Sequence, residues 1–247
     1  LLPYAWITRR DEIRDLSRSE WWLLIASGIF LGLHFAAWIA SFRYTSVASS
    51  VVIISMAPVF VGLGSWLFLR ERLRLRTAAG IALAAMGSVI IGLGDLSLGQ
   101  HVFLGDLLAL AGAVFVACYL MIGRKVRGRR SLTVYIALVY GVAMVTLLVI
   151  VLIARQPMFG HSWQAYGWTL ALALGPQVAG HSTLNWALSY LSATFVSIVM
   201  LAEPIGSGIL AFVILGEAIT WSTAAGAALV LSGVFIASQA ELGAVRA

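Results

Sequence analysis

Runs of about twenty consecutive apolar residues recur along this chain, and no other feature limits its fold as strictly. They lie at about 21–42, 47–69, 77–94, 103–122, 132–154, 165–188, 193–215 and 221–239. A bilayer core about 30 Å thick is crossed by roughly 20 apolar residues in a helix. The runs are continuously apolar rather than alternating, which favours helices over barrel strands. Only 11% of residues are charged while 61% are hydrophobic. A soluble domain carries about a quarter charged residues, so lipid must solvate most of this surface. The expected fold is all-α, a polytopic transmembrane bundle with about eight full spans.

The cations give the bundle a direction. Numbering the loops alternately from the N-terminus puts Arg9, Arg10, Arg14, Arg18, Arg70, Arg72, Arg74, Arg76, Arg124, Lys125, Arg127, Arg129, Arg130 and Arg246 on one side. Arg43 and Arg155 alone fall on the other. The positive-inside rule makes the first side, and with it the C-terminus, cytoplasmic. The net charge of +6 is therefore a topology signal spread between spans, and a nucleic-acid partner is not expected. Trp21, Trp22, Trp66, Trp163, Trp168 and Trp221 fall near span ends, at the headgroup level that indole prefers.

The chain also repeats itself. At an offset of 146 residues, Tyr44 meets Tyr190, Pro58 meets Pro204, Gly62 meets Gly208 and Glu71 meets Glu217. Thr77-Ala78-Ala79-Gly80 meets Thr223-Ala224-Ala225-Gly226, and Gly87 meets Gly233, within 14 ungapped identities over 44–90. Pro, Glu and Gly at fixed offsets mark a duplication. The loop RERLRLR corresponds to GEAITWS: the Glu stays and the arginines are gone. The two copies then face opposite sides, which requires an odd number of spans per copy. The second copy, 99–247, counts five. The first, 1–98, shows three, and LLPYAWI reads as the tail of another. The expectation is two inverted five-helix repeats, with this chain starting inside the second helix of a ten-helix design. Inverted repeats are a recurrent plan of secondary transporters.

The segments YTSVASSVVIISMAPVFVGLGSWLFLRERL and YLSATFVSIVMLAEPIGSGILAFVILGEAIT resemble the paired pattern of EamA-type members of the drug/metabolite transporter superfamily. The resemblance covers essentially the whole chain. It implies a ten-helix carrier of the inner membrane, termini cytoplasmic, exporting amino acids, related metabolites or drugs. A lipid bilayer and a small-molecule substrate are the implied partners. Proton coupling and a homodimer are left open.

Several residues could carry the function. Glu203 is the one acid near the middle of a span, where a carboxylate must be paired, protonated or facing water. It could bind a substrate amine or a coupling proton; the alternative is a protonated acid between helices. Pro58 and Pro204 each free a carbonyl four residues earlier and suit a kink or hinge. Gln177, His181 and Asn185 stand at i, i+4 and i+8, one stripe that reads either as a cavity wall or as interhelical glue. His34, Trp38 and Ser41 form a similar stripe. The expected substrate-binding set is thus Glu203, His34, Trp38, Gln177, His181 and Asn185. No catalytic or metal-ligating set is expected, and no cofactor. No Walker A motif supports ATP-driven transport. A non-transporting membrane subunit and a membrane-embedded enzyme are the competing readings; the enzyme would need a clustered catalytic set that the scattered histidines do not form.

Overall fold

The computed structural model describes residues 1–45, 47–69, 74–93, 102–210, 213 and 221–245. All regular structure among them is helical. Two short helices, α1 (Leu2–Thr8) and α2 (Arg10–Arg14), precede α3 (Arg18–Ser41). Then come α4 (Val47–Ile54), α5 (Ala57–Gly64) with a π-helical turn at Ser65–Leu69, and α6 (Leu75–Leu93). The remainder comprises α7 (Val102–Arg127), α8 (Leu132–Ile153), α9 (Trp163–Leu172), a π-helical stretch Ala173–His181, α10 (Ser182–Ala187), α11 (Ala193–Met200), α12 (Glu203–Leu210) and α13 (Trp221–Val245). Arg18–Ser41, Phe103–Arg127 and Leu132–Ile153 are unbroken helices long and apolar enough to cross a membrane. The chain is a helical membrane bundle.

Serine sets several helix starts. Ser17 accepts the Glu20 backbone N–H while the Glu20 carboxylate accepts the Ser17 backbone N–H, a reciprocal cap that satisfies two exposed donors. Ser131, Ser162 and Ser192 cap α8, α9 and α11 in the same way on one side.

Three expected spans are not continuous α-helices. The run at 47–69 breaks at Ser55–Met56, and Pro58 is the second residue of the helix that resumes. The run at 193–215 breaks at Leu201–Ala202, with Pro204 in the same position of α12. Proline lacks the N–H that would continue the ladder, so each helix restarts where that N–H is not needed. The run at 165–188 passes through the π-helical stretch around Pro176. The loops containing Glu71 and Glu217 lie outside the described residues.

Small residues fix the closest crossings. Gly28 and Gly32 of α3 pack on α8, where a Cβ on Gly28 would lie 2.7 Å from the Val139 carbonyl oxygen. α6 and α13 cross through two glycine pairs. A Cβ on Gly80 would lie 2.6 Å from the Gly233 carbonyl oxygen, and one on Gly87 would lie 2.5 Å from that of Gly226. At the 146-residue offset, Gly80 corresponds to Gly226 and Gly87 to Gly233. Exchanging the two helices therefore maps one glycine pair onto the other. The sequence order along them is antiparallel.

α1 lies along α8, and α2 meets the cap of α8 at the arginine-rich end. Leu2 faces Gly141, and the Glu12 carboxylate accepts the Ser131 backbone N–H at 2.6 Å.

Candidate functional site

Helices α3, α7, α8 and α10 meet around a buried polar cluster. From α3 come His34, Phe35 and Trp38; from α7, Tyr119; from α8, Tyr140; from the end of the π-helical stretch and α10, His181 and Asn185, with Gln177 four residues before His181. The His34 and Trp38 rings stack at 5.7 Å and 20°. Phe35 sits between the histidines, 5.0 Å from the His34 ring and 5.3 Å, edge-on, from that of His181. Tyr119 approaches His181 at 5.9 Å. Four of the six expected binding residues, His34, Trp38, His181 and Asn185, thus come together; no described contact joins Gln177 to the others.

The hydrogen bonds fix part of this cluster and leave part of it unpartnered. His34 Nδ1 lies 3.0 Å from the Gly112 carbonyl oxygen. A carbonyl only accepts, so Nδ1 carries the proton and Nε2 of the neutral ring is an acceptor. Asn185 donates from Nδ2 to the hydroxyls of Tyr119 and Tyr140, and the Tyr140 hydroxyl also pairs with Ser182 Oγ at 3.2 Å. Among the described residues, buried Trp38 Nε1, Gln177 Oε1, His181 Nδ1 and Asn185 Oδ1 have no hydrogen-bond partner. Leaving a buried polar atom unmatched costs about 1–3 kcal/mol, so three in one cluster, with Gln177 Oε1 four residues from His181, mark a place built to meet something else.

The arginine-rich end of the cluster is closed by cations. Arg127, itself buried, donates from Nε to the Asn185 carbonyl at 2.9 Å and from Nη1 to the Arg130 carbonyl. Arg124 donates to the Leu188 carbonyl at 3.0 Å. These contacts satisfy carbonyls at the C-terminal end of α10, where positive charge is favoured. Arg130 donates to both Glu20 carboxylate oxygens, at 2.6 and 2.7 Å. Those bonds hold the Arg130 guanidinium above its ordinary value.

Glu203 opens α12 and is exposed. Among the described contacts, none joins it to the cluster. A carboxylate in the first turn of a helix is stabilised by the amide dipoles there, so its position has a local reason. Pro58 is buried in α5. Tyr119, Tyr140, Phe35 and Arg127 were not singled out from the sequence. A hydroxyl in an apolar run, as at Tyr119 and Tyr140, is the signal that could have found the first two.

The EamA-like transporter family profile matches residues 1–93 and 103–239. An uncharacterized transporter from Archaeoglobus fulgidus is 25% identical over 91% of this chain and 79% of its own length. A probable amino-acid metabolite efflux pump from Salmonella typhimurium is 26% identical over 87% of this chain and 75% of its own. One solved structure superposes with a TM-score of 0.77 at 21% identity, covering 96% of this chain and 82% of that one, which speaks to the fold alone. A helical bundle with a buried polar cluster, matched along nearly its whole length by one transporter family, is placed by that match: the chain belongs to the EamA-like transporter family.

Proposed function

We propose that the chain is a secondary carrier that exports amino acids, related metabolites or drugs. The observation that carries this reading is the set of unpartnered polar atoms on Trp38, His181 and Asn185 buried where α3 meets α7, α8 and α10, with Gln177 Oε1 buried nearby in sequence. Substrate occupies that cluster, with Trp38, Gln177, His181 and Asn185 contacting it. The name of the Salmonella relative, an amino-acid metabolite efflux pump, supports export of such molecules.

Movement comes from two opposed units, 1–98 and 99–247, rocking about the cluster. The α6–α13 crossing supports this reading, because exchanging the units preserves its glycine pairs. The cluster draws α3 from the first unit and the other helices from the second, so relative motion would expose it to one side and then the other. Pro58 and Pro204 stand at equivalent helix breaks and serve as hinges. Glu203 takes a coupling proton or a substrate amine during the cycle. The arginine-rich end and the C-terminus face the cytoplasm of a cell whose inner membrane holds the protein, alone or as a homodimer.

Efflux from vesicles carrying the protein tests this. Substrate-dependent flux above protein-free vesicles is expected, and Gln177→Leu abolishes it. Glu203→Gln should alter the rate or its pH dependence; if neither changes, Glu203 has no part in coupling.

A further inference from the structure

The unpartnered atoms also describe the ligand. Gln177 Oε1 and Asn185 Oδ1 can only accept hydrogen bonds, and Trp38 Nε1–H can only donate one. His181 Nδ1 does either, according to tautomer. A matching ligand brings at least two N–H or O–H donors and one acceptor. The surrounding surfaces are flat. His34 stacks on Trp38, while Phe35 and Tyr119 flank His181.

Charge narrows the class further. Among the described contacts no carboxylate reaches the cluster. Glu12 binds the Ser131 backbone, Asp15 and Glu20 bind Arg130, Asp106 accepts from Thr45, and Glu203 is exposed on α12. The nearest formal charge tied to the cluster is the buried guanidinium of Arg127, held on the Asn185 backbone carbonyl. A cation entering here loses its hydration, finds no counter-charge and meets a like charge. A carboxylate meets acceptors on two of the four atoms, and the Arg127 Nε and Nη1 are already taken by carbonyls.

We infer that this cluster selects uncharged planar compounds that present N–H and C=O groups on one edge, and discriminates against cations of the same shape. The inference rests on the reading of the cluster as the substrate site. It narrows the range of exported molecules to those without a formal charge at the binding step, which keeps uncharged metabolites and drugs and sets aside zwitterionic amino acids.

Three compounds on one ring make the test: nicotinamide, uncharged; 1-methylnicotinamide, a permanent cation; and nicotinate, an anion. Equilibrium binding to the purified full chain in detergent is measured alongside counterflow in proteoliposomes. Nicotinamide is expected to bind at least about tenfold tighter than either charged analogue, since the cation meets the Arg127 charge and the anion meets the acceptors Gln177 Oε1 and Asn185 Oδ1. Gln177→Glu, which adds the absent carboxylate, should reverse the order by at least about tenfold in favour of 1-methylnicotinamide. Because that result is a gain of binding, loss of folding cannot mimic it. Gln177→Leu should weaken nicotinamide with no gain for the cation. Wild-type protein that binds 1-methylnicotinamide or nicotinate as tightly as nicotinamide, or binds none of the three, overturns the inference. Binding of nicotinamide without counterflow strikes the transport reading and leaves the ligand inference standing. Counterflow of the cation alone does the reverse.

Discussion

Gly80 and Gly233 cross so closely that a methyl group built on either would lie within 2.6 Å of the other's carbonyl oxygen. Backbone cannot move aside as a flexible side chain can, so any larger residue must push α6 and α13 apart. Gly80→Leu and Gly233→Leu should each destabilise the protein by about 1–3 kcal/mol. If the two helices form one interface, the double substitution should cost less than the two singles summed, since the first already opens the crossing. Thermal unfolding in detergent reads both effects. Additive costs would show the two contacts to be independent.

Trp38→Phe removes a donor that has no partner among the described residues while keeping an aromatic ring to stack on His34. Folding stability should stay within about 0.5 kcal/mol of the parent, as no intramolecular bond is lost. Flux should fall by about three- to tenfold, the worth of one hydrogen bond to cargo. A large drop in melting temperature with unchanged flux would assign the indole to structure alone.

Tyr119→Phe makes the opposite kind of change. It removes an acceptor that the Asn185 amide uses, inside a core where Tyr119 is fully buried. A destabilisation of about 1–3 kcal/mol is expected. Tyr140→Phe should cost less, because Tyr140 is only half-buried and its bond to Asn185 is long, at 3.3 Å. Chemical denaturation of the two variants side by side decides the ranking.

Glu20 and Arg130 join the start of α3 to the turn before α8, with both side chains largely covered at 14% exposure. Glu20→Gln should lower stability by about 1–2 kcal/mol, the range of a charge-assisted bond. Glu20 also completes the Ser17 cap, which Gln can still serve. A double-mutant cycle with Arg130→Gln isolates the pair; a coupling indistinguishable from zero would place the whole effect in the cap.

Much of this was legible beforehand because membranes punish irregularity. Continuous apolar length alone located α3, α7 and α8. The prolines marked both helix breaks for the same reason. Of the stripe Gln177, His181 and Asn185, the last two meet the residues around His34 and Trp38, and the spacing assumes an α-helix where Ala173–His181 is π-helical. What composition could not carry was rotation. Nothing in the runs told which way Tyr119 and Tyr140 point, or that the Asn185 amide would spend its donor on them. Glu203 drew attention through the cost of a mid-span carboxylate. The break at Leu201–Ala202 instead gives it a helix start and an exposed setting, which depends on tertiary structure that one-dimensional hydropathy does not contain. The cationic residues carried more than orientation, since Arg124 and Arg127 also close the end of α10.

The central claim is that the cluster around His181 opens alternately to the two sides of the membrane. It is tested by placing a single cysteine at Ser182, whose hydroxyl borders the cluster through Tyr140, in a Cys118→Ala background and labelling it in sealed, oriented proteoliposomes with a membrane-impermeant thiol reagent from either side. Labelling from each side in turn is expected, with bound nicotinamide slowing both. Labelling from one side only, whatever ligand is present, or from neither, contradicts the account.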